Sequence, residues 1–126
     1  MSQSVRDFEV TLTSTNDLSL KTLYIVKVDT ANDHACVLAS AGTDPIVGVL
    51  QNKPKAGSGA LVRFIGTSKV IAGGTITRGD LVTSDANGKA VTTVTNKDVA
   101  IGRALVSAVL NDILEIHLAP FGKQSF

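Results

Sequence analysis

Two histidines, His34 and His117, and one thiol, Cys36, are the whole stock of imidazole and sulfhydryl in this chain. His34 and Cys36 lie two residues apart, so on a strand they share a face and would form a Cys–His nucleophile pair. The competing assignment is a small apolar core residue at Cys36 and a turn residue at His34, and it is favoured because a buried free Cys commonly acts as a small hydrophobe. His117 falls on the polar phase of the last alternating segment and is expected to face solvent. Metal chemistry has no better footing: there is no C-x-x-C, no H-x-x-x-H and no spaced acidic calcium loop. Asp80, Asp85 and Asn87 resemble a cation cluster only in composition, and turn chemistry accounts for them. GTSK (residues 66–69) and IAGGT (residues 71–75) match no phosphate-binding loop. Arg78-Gly79-Asp80 spells a cell-adhesion tripeptide, but three residues carry almost no specificity, and a tight turn before a strand at Leu81 is the preferred explanation. No catalytic, metal-ligating or cofactor-binding set emerges, and the weight shifts to binding or structural roles.

The chain has 126 residues, 44% hydrophobic and 18% charged, with a mean hydropathy of +0.24. That is material for one packed domain, not for a disordered chain. Aromatic residues make up 4% and Trp is absent, so Val, Ile, Leu, Ala and Thr must fill the core, which suits pleated sheets. A net charge of +1 with the signs interspersed gives no electrostatic footprint for nucleic acid. No apolar run is long enough to span a bilayer as a helix. The N-terminal residues lack the basic and apolar regions of a secretory signal, so synthesis and folding in a cytoplasm are expected. A lone cysteine excludes a disulfide scaffold.

Elements follow from the alternation. Phe8, Val10 and Leu12 alternate with polar residues, as do Val62 and Phe64, and Leu114, Ile116 and Leu118; each set predicts one buried face of a strand. Breakers at Asn32-Asp33, Asp44-Pro45, residues 57–59, Gly73-Gly74 and Asn87-Gly88 separate many short strands, as in a barrel or sandwich. The Asn87-Gly88 pair predicts a tight hairpin with both residues at positive φ, joining strands near residues 81–83 and 90–94. An internal repeat is also present. Residues 24–64 and 79–118 align with an offset drifting from 55 to 53, Asp44-Pro45-Ile46-Val47-Gly48 matching Asp98-Val99-Ala100-Ile101-Gly102. By that match the helix-like run VAIGRALVSAVL (residues 99–110) begins as a strand, leaving residues 105–110 as a short helix or a turn. The expected fold is all-β: a compact, barrel-like single domain over residues 1–126, built from two pseudo-repeated β units with little helix.

The second half carries a resemblance. GGTITRGDLVTSDANGKAV, then DVAIGRAL, then DILEIHL resembles the capsid cement or head decoration proteins of tailed bacteriophages, at Gly79, Asp80, Val82, Asp85, Gly88, Lys89, Ile101, Gly102 and Ala104. These are turn and core positions, so Gly79, Asp80, Asp85, Asn87, Gly88 and Gly102 read as structural residues. The resemblance implies a virion protein on the outside of an assembled head. It would bind the major capsid protein, bridge capsomers and form a homo-oligomer, with a trimer the candidate state. It implies no nucleic-acid or membrane partner and no cofactor. The ends would do the bridging: an extended arm, residues 1–7, with Ser4, Val5 and Arg6, then Phe8 and Val10 adding as a strand to a neighbour's sheet. The other reading of residues 8–12 is the first strand of the chain's own barrel. In the tail, residues 119–126, Phe121 and Phe126 are candidates for docking on a partner.

Two other functions are weighed beside this one. A lipoyl- or biotinyl-like carrier presents a modified Lys at a hairpin tip, which Lys89 would supply without the usual neighbouring Met. A carbohydrate-binding or adhesion module of a phage particle would stack sugars on aromatics, for which Tyr24 is the one Tyr and no Trp exists.

Overall fold

A computed structural model describes residues 8–93 and 98–123, the side chains of residues 120–123 excepted. The arm with Ser4, Val5 and Arg6 lies outside the described residues, as do Val94 and Phe126. Among the described residues there is no helix. Nine strands form one sheet: β1 (Phe8–Ser14), β2 (Ile25–Val28), β3 (Ala35–Leu38), β4 (Ile46–Leu50), β5 (Gly59–Ile71), β6 (Leu81–Ser84), β7 (Ala90–Thr92), β8 (Val99–Ala104) and β9 (Ile113–Lys123). Their order is β1-β3-β2-β4-β5-β9-β8-β6-β7, and β1 also pairs with β5. That extra ladder joins Phe8–Thr13 to residues 59–65 and closes β1 to β5 into a five-stranded barrel. Closure removes the sheet edge that would otherwise template aggregation.

The second half repeats the first. Val26 pairs with Gly48 and Val28 with Cys36; in the second half Val82 pairs with Gly102 and Ser84 with Ala90. Val49 faces Arg63 on β5 as Arg103 faces His117 on β9. What takes the place of β1 is the far end of β5 itself. Residues 66–71 lie antiparallel to residues 113–118 of β9, and Ala72 forms a parallel bridge to Ala90, as Ser14 does with Cys36. The flanking hydrogen bonds agree: Ser14 N–H donates to Ser58 O and Ala72 N–H to Asp112 O, at 2.9 and 2.8 Å. β5 is therefore the closing strand of both units. The paired residues stand 54 apart from β3 onward, as Gly48 and Gly102 do, and 56 apart on β2, as Val26 and Val82 do. The drift expected from sequence is thereby corrected, its source being two extra residues in the β2–β3 connection.

Each unit has an apolar core. Leu18, Val26, Cys36, Leu50, Ala60 and Val62 fill the first. A larger cluster holds Ile76, Val82, Ala104, Leu114, Ile116 and Leu118, and takes in Ile25, Ala39 and Val49 from the first unit. On β9, Leu114, Ile116 and Leu118 are buried while Glu115 and His117 are exposed, as the alternation requires. Glycine is forced where strands touch most closely: a Cβ on Gly48 would lie 2.2 Å from Arg63 O, and one on Gly102 2.2 Å from His117 O.

Residues 105–110, expected as a short helix or a turn, form bends and a turn around a bridge between Ile76 and Ala108. Two expectations change. At the β6–β7 hairpin only Gly88 has positive φ, at 77°, because Asp85 accepts the N–H groups of Asn87 and Lys89 and shapes a five-residue loop. The C-terminal tail is not free throughout: β9 continues to Lys123, pairing Lys123 with Val99 and Gly122 with Ala100.

Candidate interaction surface

The polar residues singled out by type are spent on turns. Asp85 accepts from Asn87 N–H and Lys89 N–H at 2.8 and 2.9 Å, and Asp80 from Thr77 N–H and the Thr92 hydroxyl, both at 2.9 Å. Asp29 holds the matching turn of the first unit. It accepts Ala31 N–H, the Asn32 amide and the Thr15 hydroxyl. Bonds from Asn32, Thr15 and Ala31 keep its carboxyl below the usual aspartate range. Burial pushes Asp44 up, but Ser40 N–H, Lys27 and the Ser40 hydroxyl outweigh it, and the net shift is downward. Among the described residues no three His, Cys, Asp or Glu side chains are grouped to hold a metal ion.

The nucleophile pair does not form as a reactive unit. Cys36 is fully buried in the first core. Burial raises its thiol pKa, and the charge of Asp29 raises it further, which disfavours the nucleophilic thiolate. His34 is exposed, with φ of 54°, in the turn before β3, and His117 is exposed on β9. Arg78-Gly79-Asp80 is also explained by the repeat. Gly79 N–H donates to Ala104 O and Asp80 N–H to Thr77 O; Leu23 and Tyr24 make the same bonds to Leu50 and Lys21. Gly79 and Leu23 both have positive φ, 93° and 72°. The first unit thus builds this turn without the tripeptide. Lys89 does not project from a free tip: the hairpin packs on the first unit, Ile25 N–H donating to Gly88 O at 2.7 Å, while Lys89 Nζ donates to Asn111 Oδ1.

What remains is surface. Phe8 and Val10 belong to β1 and pair within their own barrel, Phe8 about half exposed. Val10 lines an apolar cleft of ≈ 420 Å³ between the units, walled by Ile46 and Val47 of β4, Ala100 and Ile101 of β8, Phe64 and Leu118. Ile46 and Ala100, Val47 and Ile101, and Phe64 and Leu118 are repeat equivalents, so the cleft sits at the internal symmetry axis. Phe121 lies on β9.

Sequence reasoning missed a second apolar surface. Leu105, Val106, Val109, Leu110 and Ile113 are 43–58% exposed in the β8–β9 connection. The matching β4–β5 connection carries Gln51, Asn52, Lys55, Ala56 and Gly59 at the same positions. The two loops share their backbone. Pro54 accepts Leu18 N–H as Ala108 accepts Ile76 N–H, and Gly57 and Asn111 have φ of 83° and 69°. Aligning the repeats through this loop would have exposed the polar-to-apolar exchange.

Asp29, Asp80 and Asp85 are thus committed to turns, and the exposed apolar side chains gather beside the β8–β9 connection. The phage cement proteins match this chain over residues 7–115, and the chain belongs to that family. No curated protein matches. Among solved structures, the crystal structure of the head fiber gp8.5 N base in bacteriophage phi29 is similar in fold. Its TM-score is 0.70 at 18% identity, covering 96% of this chain and 100% of that one. A capsid-associated structural role follows from the family.

Proposed function

We propose that this protein stabilises an assembled phage head from outside, binding the major capsid protein and bridging neighbouring capsomers as a homo-oligomer, with a trimer the candidate state. It is made in the cytoplasm of the host and added to the shell. Family membership over residues 7–115 carries the reading, and the commitment of the polar side chains to turns agrees with it. Each copy contributes a modest contact, and the lattice multiplies it. The arm, residues 1–7, with Ser4, Val5 and Arg6, and the aromatics Phe121 and Phe126 remain candidates for reaching a neighbour. A reconstruction of purified virions tests the whole: density for the protein across capsomer boundaries on the outer surface is expected, and its absence from the shell sinks the proposal. Deleting residues 1–7 tests the arm, for which reduced occupancy is expected. The likeness to a head fiber base favours a second reading, an adhesion module of the particle; saturable binding on a glycan array would support it.

A further inference from the structure

We propose that the apolar face of the β8–β9 connection, centred on Leu105, Val106, Val109 and Leu110, is the surface that meets the capsid shell; this rests on the capsid reading above. The first unit supplies the control. Its β4–β5 connection shares four of the loop's backbone hydrogen bonds, lacking only the one that Pro54 cannot donate, and turns to positive φ at the equivalent position, Gly57 for Asn111, yet carries Gln51, Asn52, Lys55 and Ala56 at those four positions. Folding of this loop therefore does not require the exposed apolar side chains. Five of the eight large apolar residues exposed among the described residues fall within these nine positions, residues 105–113. The band extends further: Ile113 pairs with Ile71, which lines a shallow groove with Tyr24 and with Leu20, itself 89% exposed. The one acidic group inside the loop, Asp112, accepts Val109 N–H at 3.0 Å and so folds back on the loop.

Size argues for the occupant. Half-exposed Val, Leu and Ile side chains in this number make a patch on the order of a few hundred Å², the scale that marks an interaction site. A stable stand-alone complex buries roughly 800 Å² on each partner. The face is therefore too small to hold a pair of copies together by itself. It suits a partner that offers the same apolar site many times over, as the outer surface of a shell does, where occupancy depends on linked copies.

The test exchanges the loop chemistry between the units: Leu105→Gln, Val106→Asn, Val109→Lys and Leu110→Ala in the full chain. The side chains introduced are those the equivalent backbone already carries, and an unchanged melting profile checks the fold. Binding is measured by sedimentation with shells assembled from the major capsid protein of the same phage. At least a tenfold loss of bound copies is expected, with the size of the free protein unchanged. A companion variant on the first unit, Lys55→Glu with Ala56→Ser, is expected to bind as wild type. Wild-type binding by the exchanged variant overturns the inference, as does an equal loss in the companion variant. A smaller free species for the exchanged variant also overturns it, because the face would then join copies to each other. If the wild-type chain itself ignores the shells, the capsid reading fails and this assignment falls with it; binding by wild type but not variant separates the two cases.

Discussion

The two units of this molecule fold the same way on different sequences, and the positions that agree are those the backbone dictates. Among the described residues six of the seven at positive φ pair across the repeat: Leu23 with Gly79, His34 with Gly88, and Gly57 with Asn111. The seventh, Gly66 at 112°, sits where β5 crosses from one unit into the other. Buried positions agree in character too, Leu18 with Ile76, Val62 with Ile116, Val26 with Val82. Exposed positions diverge freely, and nowhere more than in the loops after β4 and β8. The difference teaches that fold and function occupy separate residues here: turns and close contacts are held in common, while the contact chemistry is placed on one unit only.

That comparison breaks most severely at the glycines under the strand crossings. Gly48→Ala and Gly102→Ala would each place a Cβ 2.2 Å from a backbone carbonyl oxygen, which no rotamer change relieves. Each should cost about 3 kcal/mol or more. Gly102 should be the worse, because β9 continues past it along β8 to Lys123 while β5 leaves β4 at this level. Urea midpoints of the two variants check both the size and the order. Equal, small losses would mean that the strands can separate at the symmetry axis without penalty.

The β architecture was legible because its signals are local. Alternation in residues 8–12 and 114–118 located β1 and β9, and the Gly48–Gly102 match turned the helix-like run after Asp98 into β8. The shared strand was not legible. The alternation of Val62 and Phe64 lapses in Gly66-Thr67-Ser68-Lys69, which reads as a break between strands, whereas one continuous β5 changes partner there because its hydrogen-bonding neighbours are set by tertiary closure. The interaction surface escaped for a related reason. Short apolar runs such as residues 105–110 look like core or helix until the strand before them ends at Ala104. Exposure belongs to the packed molecule, and composition does not carry it. The turn at Asn87-Gly88 was found, but its geometry depends on which N–H groups the Asp85 side chain captures.

The paired turns give a smaller test with opposite signs. His34 holds φ of 54° where Gly88 holds 77°. His34 is exposed, so His34→Gly should relieve left-handed strain and gain about 0.5–1 kcal/mol. Gly88→Ala adds that strain and sets a Cβ 2.7 Å from the Leu38 side chain, so it should cost about 2 kcal/mol. Thermal melts of the two single variants decide it; the same sign for both would show that the two hairpins are not equivalent in their energetics.

The smallest expected effect concerns the aspartate turns, where Asp29 accepts the Thr15 hydroxyl and the Asn32 amide and Asp85 accepts two backbone N–H groups instead. Asp29 receives the Thr15 hydroxyl at 2.5 Å. At the corresponding place beside Asp85 stands Gly73, where a Cβ would meet the carboxylate at 2.2 Å. Because the folded pKa of Asp29 is lowered by Asn32, Thr15 and Ala31, its charged form contributes stability at and above the ordinary aspartate value of about 3.9. That contribution fades as pH falls through the lower, folded value. Asp29→Asn should therefore lower stability at neutral pH and flatten the acid limb below about pH 4. Thr15→Ala removes one of the three donors and should move the Asp29 carboxyl partway back toward its ordinary value. A carboxyl-detected NMR titration of wild type and Thr15→Ala reads this directly. An Asp29 titration that stays put would mean that the Asn32 amide and the Ala31 N–H set the carboxylate's affinity for its proton without the Thr15 hydroxyl.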